Sequence, residues 1–259
     1  KLRGLQDEMD DQVWEFNGGQ RPWWQRKALE GLYDGAIHQM DAQLRRLTET
    51  LEERGELDNT LIVITSDHGE GFGELSRIRG DRNAKKPNAR VAAHGAGIHE
   101  VLTHVPLVVQ LPGQKNSETV SEAASLSEFP SCVESVVEGT HYIEEFVPEG
   151  KVITSSHGLE EPMEERAQRY TKDFYRFNGD CCAVYEGSSS DVTKYVSWRE
   201  KYATVGVNDP KSSYKRASSG GPVDEVFDGI TDLGVRIDSG GVEEMDDATK
   251  QRVEDLGYV

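Results

Sequence analysis

In "LIVITSDHGEGFGE", the aliphatic and β-branched run Leu61 to Thr65 leads straight into Ser66, Asp67, His68 and Gly69. A carboxylate and an imidazole side by side can share one divalent cation through an oxygen and a nitrogen donor. A following glycine lets the backbone turn sharply enough for both to face the same point. In open α/β sheets ligands gather beyond the carboxyl ends of the strands, so the pair stands where a binding group is expected. The alternative is that Asp67 caps the following turn and His68 is merely its polar neighbour.

Other histidines invite comparison. His94, in "AAHGAGIHE", also precedes glycine, and it can bring a second loop to an anion or a metal. His99 and His104 in "HEVLTH" resemble a zinc-protease helix. That motif needs histidines four apart, and a spacing of five puts them roughly 140° apart around a helix, so they cannot share one zinc there. His157 in "SSHG" has no acid before it. Cys132, Cys181 and Cys182 have no metal-ligand spacing and read as small buried residues, and Trp23 and Trp24 read as packing groups.

The elements that must position these groups follow from periodicity. From Pro22, apolar residues at Tyr33, Ile37, Met40, Leu44, Leu47 and Leu51 step by four and three, which predicts a long amphipathic helix stopped at Gly55 by a left-handed cap. A short loop then enters a fully buried strand, Leu61 to Thr65, making half of a βαβ unit. The polar insertion at 75–90 reads as a surface loop beside the site. "VPLVVQL", Val105 to Leu111, reads as a second buried strand closed by Pro112 and Gly113, and "SEFPSCVESVVEG" as a helix ending at Gly139. Short β-like runs "KVITSS", "CCAVYEG", "TKYVSW" and "YATVGV" then predict an antiparallel sheet, and "MDDATKQRVEDLGYV" a terminal helix.

Composition bounds the function. With 259 residues, 36% hydrophobic and 29% charged, the chain can bury a core, and its net charge of -18 argues against a nucleic-acid partner. The acid excess suits a protein hydrated in concentrated salt, where screening removes self-repulsion. No stretch has the apolar length of a membrane span. Three cysteines without a disulfide framework point to a reducing, cytoplasmic compartment.

Taken in order, "LYDGAIHQMDAQLRRLTETLEERGELDNTLIVITSDHGEGFGE", "HGAGIHEVLTHVPLVVQLPG" and "EDLGYV" resemble the carboxyl-terminal half of the sulfatase family in the alkaline-phosphatase superfamily, most of all the acidic sulfatases of halophilic archaea. The resemblance implies an α/β, alkaline-phosphatase-like fold: a mostly parallel sheet between helices over residues 1–145, and a smaller antiparallel α+β subdomain with a terminal helix over 146–259. It implies that Asp67 and His68 are metal ligands, for calcium ahead of manganese or zinc, and that His94 contacts the transferred group. The implied substrate is a small-molecule or carbohydrate sulfate ester. Relatives acting on phosphate or phosphonate esters carry the same Asp-His pair, and a non-catalytic binding module is a further alternative. The family nucleophile, formylglycine made from a C/S-x-P-x-R motif, has no counterpart in this chain. The chain also starts in the middle of the family pattern, so it is expected to be a fragment with little or no activity alone.

Overall fold

Helix α3 (Trp23–Glu53) is bounded by the two residues that its sequence nominates. Pro22 caps it in an extended conformation, where its missing N–H costs nothing. At the far end Gly55 takes φ +71°, the Gly55 N–H donates to Glu52 O and the Glu56 N–H to Leu51 O, closing a complete Schellman motif. Two short helices, α1 (Leu2–Asp7) and α2 (Trp14–Asn17), precede it. The computed structural model describes residues 2–76, 89–94, 97–159, 161–187, 191–199, 201–209, 212–217 and 221–228, and those up to Phe227 belong to one compact unit. The expected terminal helix and residues 77–88 of the insertion lie outside the described residues.

The apolar stripe of α3 is not covered as its period predicts. Arg26 and Leu29, near the start, are buried, whereas Tyr33, Ile37, Met40 and Leu47 are exposed. Near its start the helix docks on β2 (Gly71–Ser76), the strand that follows the site, through Trp23, Arg26 and Tyr33.

After a 3₁₀ turn at Leu57–Asn59 the chain forms β1 (Ile62–Ile64), β2 (Gly71–Ser76), β3 (Ala89–Ala93), α4 (Glu100–Thr103), β4 (Val108–Gln110) and α5 (Phe129–Glu138). The expected parallel sheet is not what the described strands make. β1 pairs β4 antiparallel, with Ile62 opposite Gln110 and Ile64 opposite Val108, and β2 pairs β3 antiparallel. Apolar content marks a strand as interior without encoding its direction, which is why the run Leu61 to Thr65 could not settle the matter. Nor is that run fully buried: β1 is half-buried throughout and Val108 is exposed. Helix α5 ends at Gly139 with φ +72°, as expected.

The second half is an antiparallel meander, β5 (Val152–Ser156), then, after α6 (Glu161–Tyr170), β6 (Cys181–Glu186), β7 (Val192–Trp198), β8 (Lys201–Asp209) and β9 (Ser212–Ala217), in that spatial order. The four predicted strand runs are β5 to β8, and β9 was not foreseen. Helix α7 (Val223–Asp228) follows. Alternation decides the faces: Lys194, Val196 and Trp198 of β7 point inward. Val196 and Trp198 pack with Cys181, Ala183, Ala203, Val205 and Ile98, the last from the loop after β3. A second core joins Trp14 of α2 to Ala167 of α6 and Phe177, with the Trp14 and Phe177 rings edge to face at 5.4 Å. Both cores tie residues before position 146 to residues after it.

Candidate functional site

Between β1 and β2 the chain makes a tight tip, and its shape depends on Gly69. The Gly69 N–H donates to Leu102 O at 2.9 Å, and a Cβ at this position would run into the carbonyl of Val101. Only a glycine lets the tip lie this close to α4.

At that tip Asp67 and His68 face each other. The backbone N–H of His68 donates to Asp67 Oδ1 at 2.9 Å, and Ser66 Oγ donates to the His68 carbonyl at 2.7 Å. His68 Nδ1 lies 2.9 Å from Gly69 O, an acceptor only, so Nδ1 is the donor and the neutral tautomer this contact selects has its lone pair on Nε2. That Nε2 is 3.7 Å from Asp67 Oδ2. Ligand bonds of about 2.1 Å to each atom can span such a separation, so the pair fits two positions of one coordination shell. The Asp67 side chain is 65% exposed and that of His68 34%. Among the described residues no group of three or more His, Cys, Asp and Glu is arranged to hold a metal.

His94 joins the pair from the end of β3. Its ring lies on that of His68, with centroids 4.2 Å apart and planes 31° apart. His94 Nδ1 is 3.0 Å from Glu70 Oε2, and this hydrogen bond holds the imidazole above its ordinary value against the burial that lowers it. The other oxygen of Glu70 is paired with Arg26, which is buried in α3 and also donates from Nε to Gly71 O at 3.0 Å. Arg26 lies over the Phe72 ring at 5.0 Å. An anchored chain of charges thus runs from α3 through Arg26 and Glu70 to His94.

The three nominated residues are therefore together. Glu70 and Arg26 were missed. The sequence did carry a signal for Arg26: at i, i+3 and i+7 it lies on one helix face with Leu29 and Tyr33, and a cation on a core-facing line needs an acid. Glu70 directly follows the Asp-His-Gly tip.

The discounted histidines lie where their spacing puts them. His99 and His104 are the two caps of the four-residue α4 and lie outside the helix. His99 Nδ1 accepts the Val101 N–H at 3.2 Å, and burial pushes its imidazole down, so it is neutral. His157 is highly exposed, 3.8 Å from Asp180. Cys132 and Cys181 are buried, and burial raises the thiols of Cys132 and Cys182. The Trp23 ring packs beside Phe16 and under Arg90, while Trp24 is exposed.

Parts of the chain are similar in sequence to known proteins. The "Extracellular sulfatase SULF-1 homolog" of Drosophila melanogaster is 33% identical over 86 residues, 33% of this chain and 6% of that protein. The "Steryl-sulfatase" of Rattus norvegicus is 30% identical over 112 residues, 42% of this chain and 19% of that protein. The chain thus spans less than a fifth of either relative's length. No solved structure matches it. No helix among the described residues is long and apolar enough to cross a membrane. The family model described as "Sulfatase" matches residues 8–135, which hold Arg26, Asp67, His68, Glu70 and His94, so over this segment the chain is similar to that family.

Proposed function

We propose that this chain supplies part of the active site of a metal-dependent sulfuric ester hydrolase, with Asp67 and His68 as metal ligands and His94 as the contact to the transferred group. The observation that carries the reading is the 3.7 Å approach of His68 Nε2 to Asp67 Oδ2, with Nδ1 already engaged by Gly69 O. When bound, a divalent cation, calcium ahead of manganese or zinc, supplies charge stabilisation to the oxygens of the sulfuryl group. The chain's residues do the rest. Gly69 O fixes the His68 tautomer, and Glu70 favours the protonated form of His94, whose second N–H would face an ester oxygen or a departing alkoxide. Arg26 holds Glu70 in place.

The substrate in this reading is a small-molecule or carbohydrate sulfate ester, with residues 1–145 as the sulfatase-like part and 146–259 as the smaller subdomain. The net charge of -18 supports a salt-rich setting, and three cysteines without a disulfide framework support a reducing, cytoplasmic one. The C/S-x-P-x-R motif is absent from the chain, so the purified chain is expected to turn over no sulfate ester by itself. A second reading keeps the site and changes the ester to a phosphodiester or phosphonate, and the imidazole donor at position 68 favours it because nitrogen ligands suit manganese and zinc better than calcium.

The test is a titration with Mn2+ followed by NMR, with Ca2+ and Zn2+ as competitors. Line broadening centred on His68 and its neighbours, lost in Asp67→Ala and in His68→Ala, is the expected result. Broadening scattered over the acidic surface, or unchanged by both substitutions, refutes the metal assignment. Sulfate or phosphate added with the metal then tells the two esters apart by which anion shifts His94.

A further inference from the structure

Lys194 of β7 has no exposed surface at all. Its ammonium donates to Ile98 O and, at 2.9 Å, to Glu100 Oε1 at the start of α4. Burial pushes the amine down and the carboxyl up, and their mutual attraction, with the Tyr185 oxygen near the amine, wins in both directions, so the pair is ionised. Tyr185, on β6, reaches the other end of α4, where its hydroxyl lies 2.9 Å from Thr103 Oγ1. Two neighbouring strands therefore grip α4 at both ends.

As a source of stability this arrangement is poor. An apolar pair of similar volume is often as stable as a buried ion pair, or more so. Here Glu100 Oε2 is buried with no hydrogen bond among the described residues, a further cost. What a buried charge pair adds in some proteins is the choice of one register, where an apolar pair tolerates sliding. Register matters at this place because the next carbonyls of α4, those of Val101 and Leu102, form the seat for Gly69.

We propose that Lys194 and Glu100 are positioning residues: their pair locks α4 in one register on the five-stranded sheet, and through the Leu102 carbonyl it holds the Asp67–His68 tip in one conformation. The inference rests on the reading of that tip as the metal site for its functional meaning, and on geometry alone for its structural content.

The test separates positioning from stability. Lys194→Met alone leaves a buried unpaired carboxylate, and the chain is expected to lose stability. The double variant Lys194→Met with Glu100→Met removes both charges, and its melting temperature is expected to return close to that of the parent. At that restored stability, hydrogen exchange of the Gly69 amide is expected to be at least about tenfold faster than in the parent, relative to amides of β7 and β8. The shift that the His94 ring imposes on His68 is expected to be lost with it. Parent-like Gly69 protection and parent-like His68 shifts in the double variant overturn the proposal, because the pair then acts through stability alone. A double variant that does not fold overturns it too. Mn2+ broadening of His68, read on the parent, judges the metal reading separately: its absence there sinks the metal assignment and leaves the exchange result standing.

Discussion

Gly69→Ala is the substitution on which the account of the tip is most exposed. Nothing about the backbone conformation of Gly69 is special, since its φ is not positive; only space forbids a side chain. The added Cβ would meet the Val101 carbonyl, whose carbon lies 2.9 Å away, with Leu102 Cα at 3.3 Å, and backbone atoms cannot swing aside as a flexible side chain can. The strand tip must therefore lift off α4 and give up the Gly69 N–H bond to Leu102 O. Losing that bond costs about 1 kcal/mol and forcing the backbones apart about 1–3 kcal/mol, together about 2–4 kcal/mol. For a folded unit of this size that lowers the melting temperature by roughly 4–16 °C. Thermal melts at fixed high salt, with NMR of His68 and His94, are the assay. The two rings should separate, since His68 rides on the tip and His94 does not. A Gly69→Ala chain that melts within a degree of the parent and keeps the stacked histidine shifts would refute the claim that α4 seats the tip.

Three other substitutions probe separate steps of the argument. Gly55→Ala meets no atom within 4 Å and is penalised only for its left-handed φ of +71°, so it should cost about 1–2 kcal/mol in chemical denaturation and leave the histidine shifts untouched; a loss confined to the site would contradict this. His94→Asn tests the hydrogen bond to Glu70. Because the folded His94 is held above its ordinary 6.5, its contribution is full below that value and fades as pH rises through the raised one. The stability difference between parent and variant, measured from pH 5.5 to 8.5, should shrink with rising pH, and by a small amount given the partial exposure of the ring. Glu15→Gln tests the opposite sign. Burial raises the Glu15 carboxyl, but the Arg21 guanidinium and the N–H groups of Asp10 and Asp11 together hold it below its ordinary 4.5. Its contribution is thus present above that value and lost as the medium is acidified below it, so parent and variant should converge in stability toward pH 3.

How much of this was legible depended on whether the relevant force is local. Pro22 and Gly55 bound α3 in the sequence and in the structure because capping is decided within a few residues. The four runs that became β5 to β8 were visible because alternation on a half-buried sheet writes itself into the residue types. The direction of β1 against β4 was not visible, since Ile62, Val63 and Ile64 are equally content beside either orientation. The exposed stripe of α3 shows the same limit from the other side: a period of 3.6 says that one face is apolar, and says nothing about what covers it. At the site, Asp67, His68 and His94 could be nominated by type and spacing, but their meeting depends on the pairing of β2 with β3, which sets Gly71 opposite Ala93 across 22 positions. Lys194 was in plain sight in "TKYVSW", in phase with Val196 and Trp198, and a lysine on the apolar phase of a strand is a signal that an acid waits elsewhere.

The tip is gripped from two sides by unlike forces, and this lets Asp67 stay exposed and His68 half-exposed on a constrained backbone. From α3, Arg26 holds Glu70 through charge, and Glu70 holds His94. From α4, the Leu102 carbonyl holds the Gly69 amide, and α4 is itself held by Lys194 and Tyr185. Every one of these contacts is made by a residue flanking Asp67 and His68 or supporting those that do. A carboxylate buried enough to be rigid by itself would carry a desolvation cost and would close the site to a ligand. Fixing the neighbours instead leaves the donors solvated and accessible while the backbone beneath them is constrained, which is the arrangement that a binding site needs if its geometry is to exist before the ligand arrives. It follows that substitutions at Arg26 or Lys194, neither of which would touch a bound ion, should weaken the site more than exposed substitutions lying nearer to it.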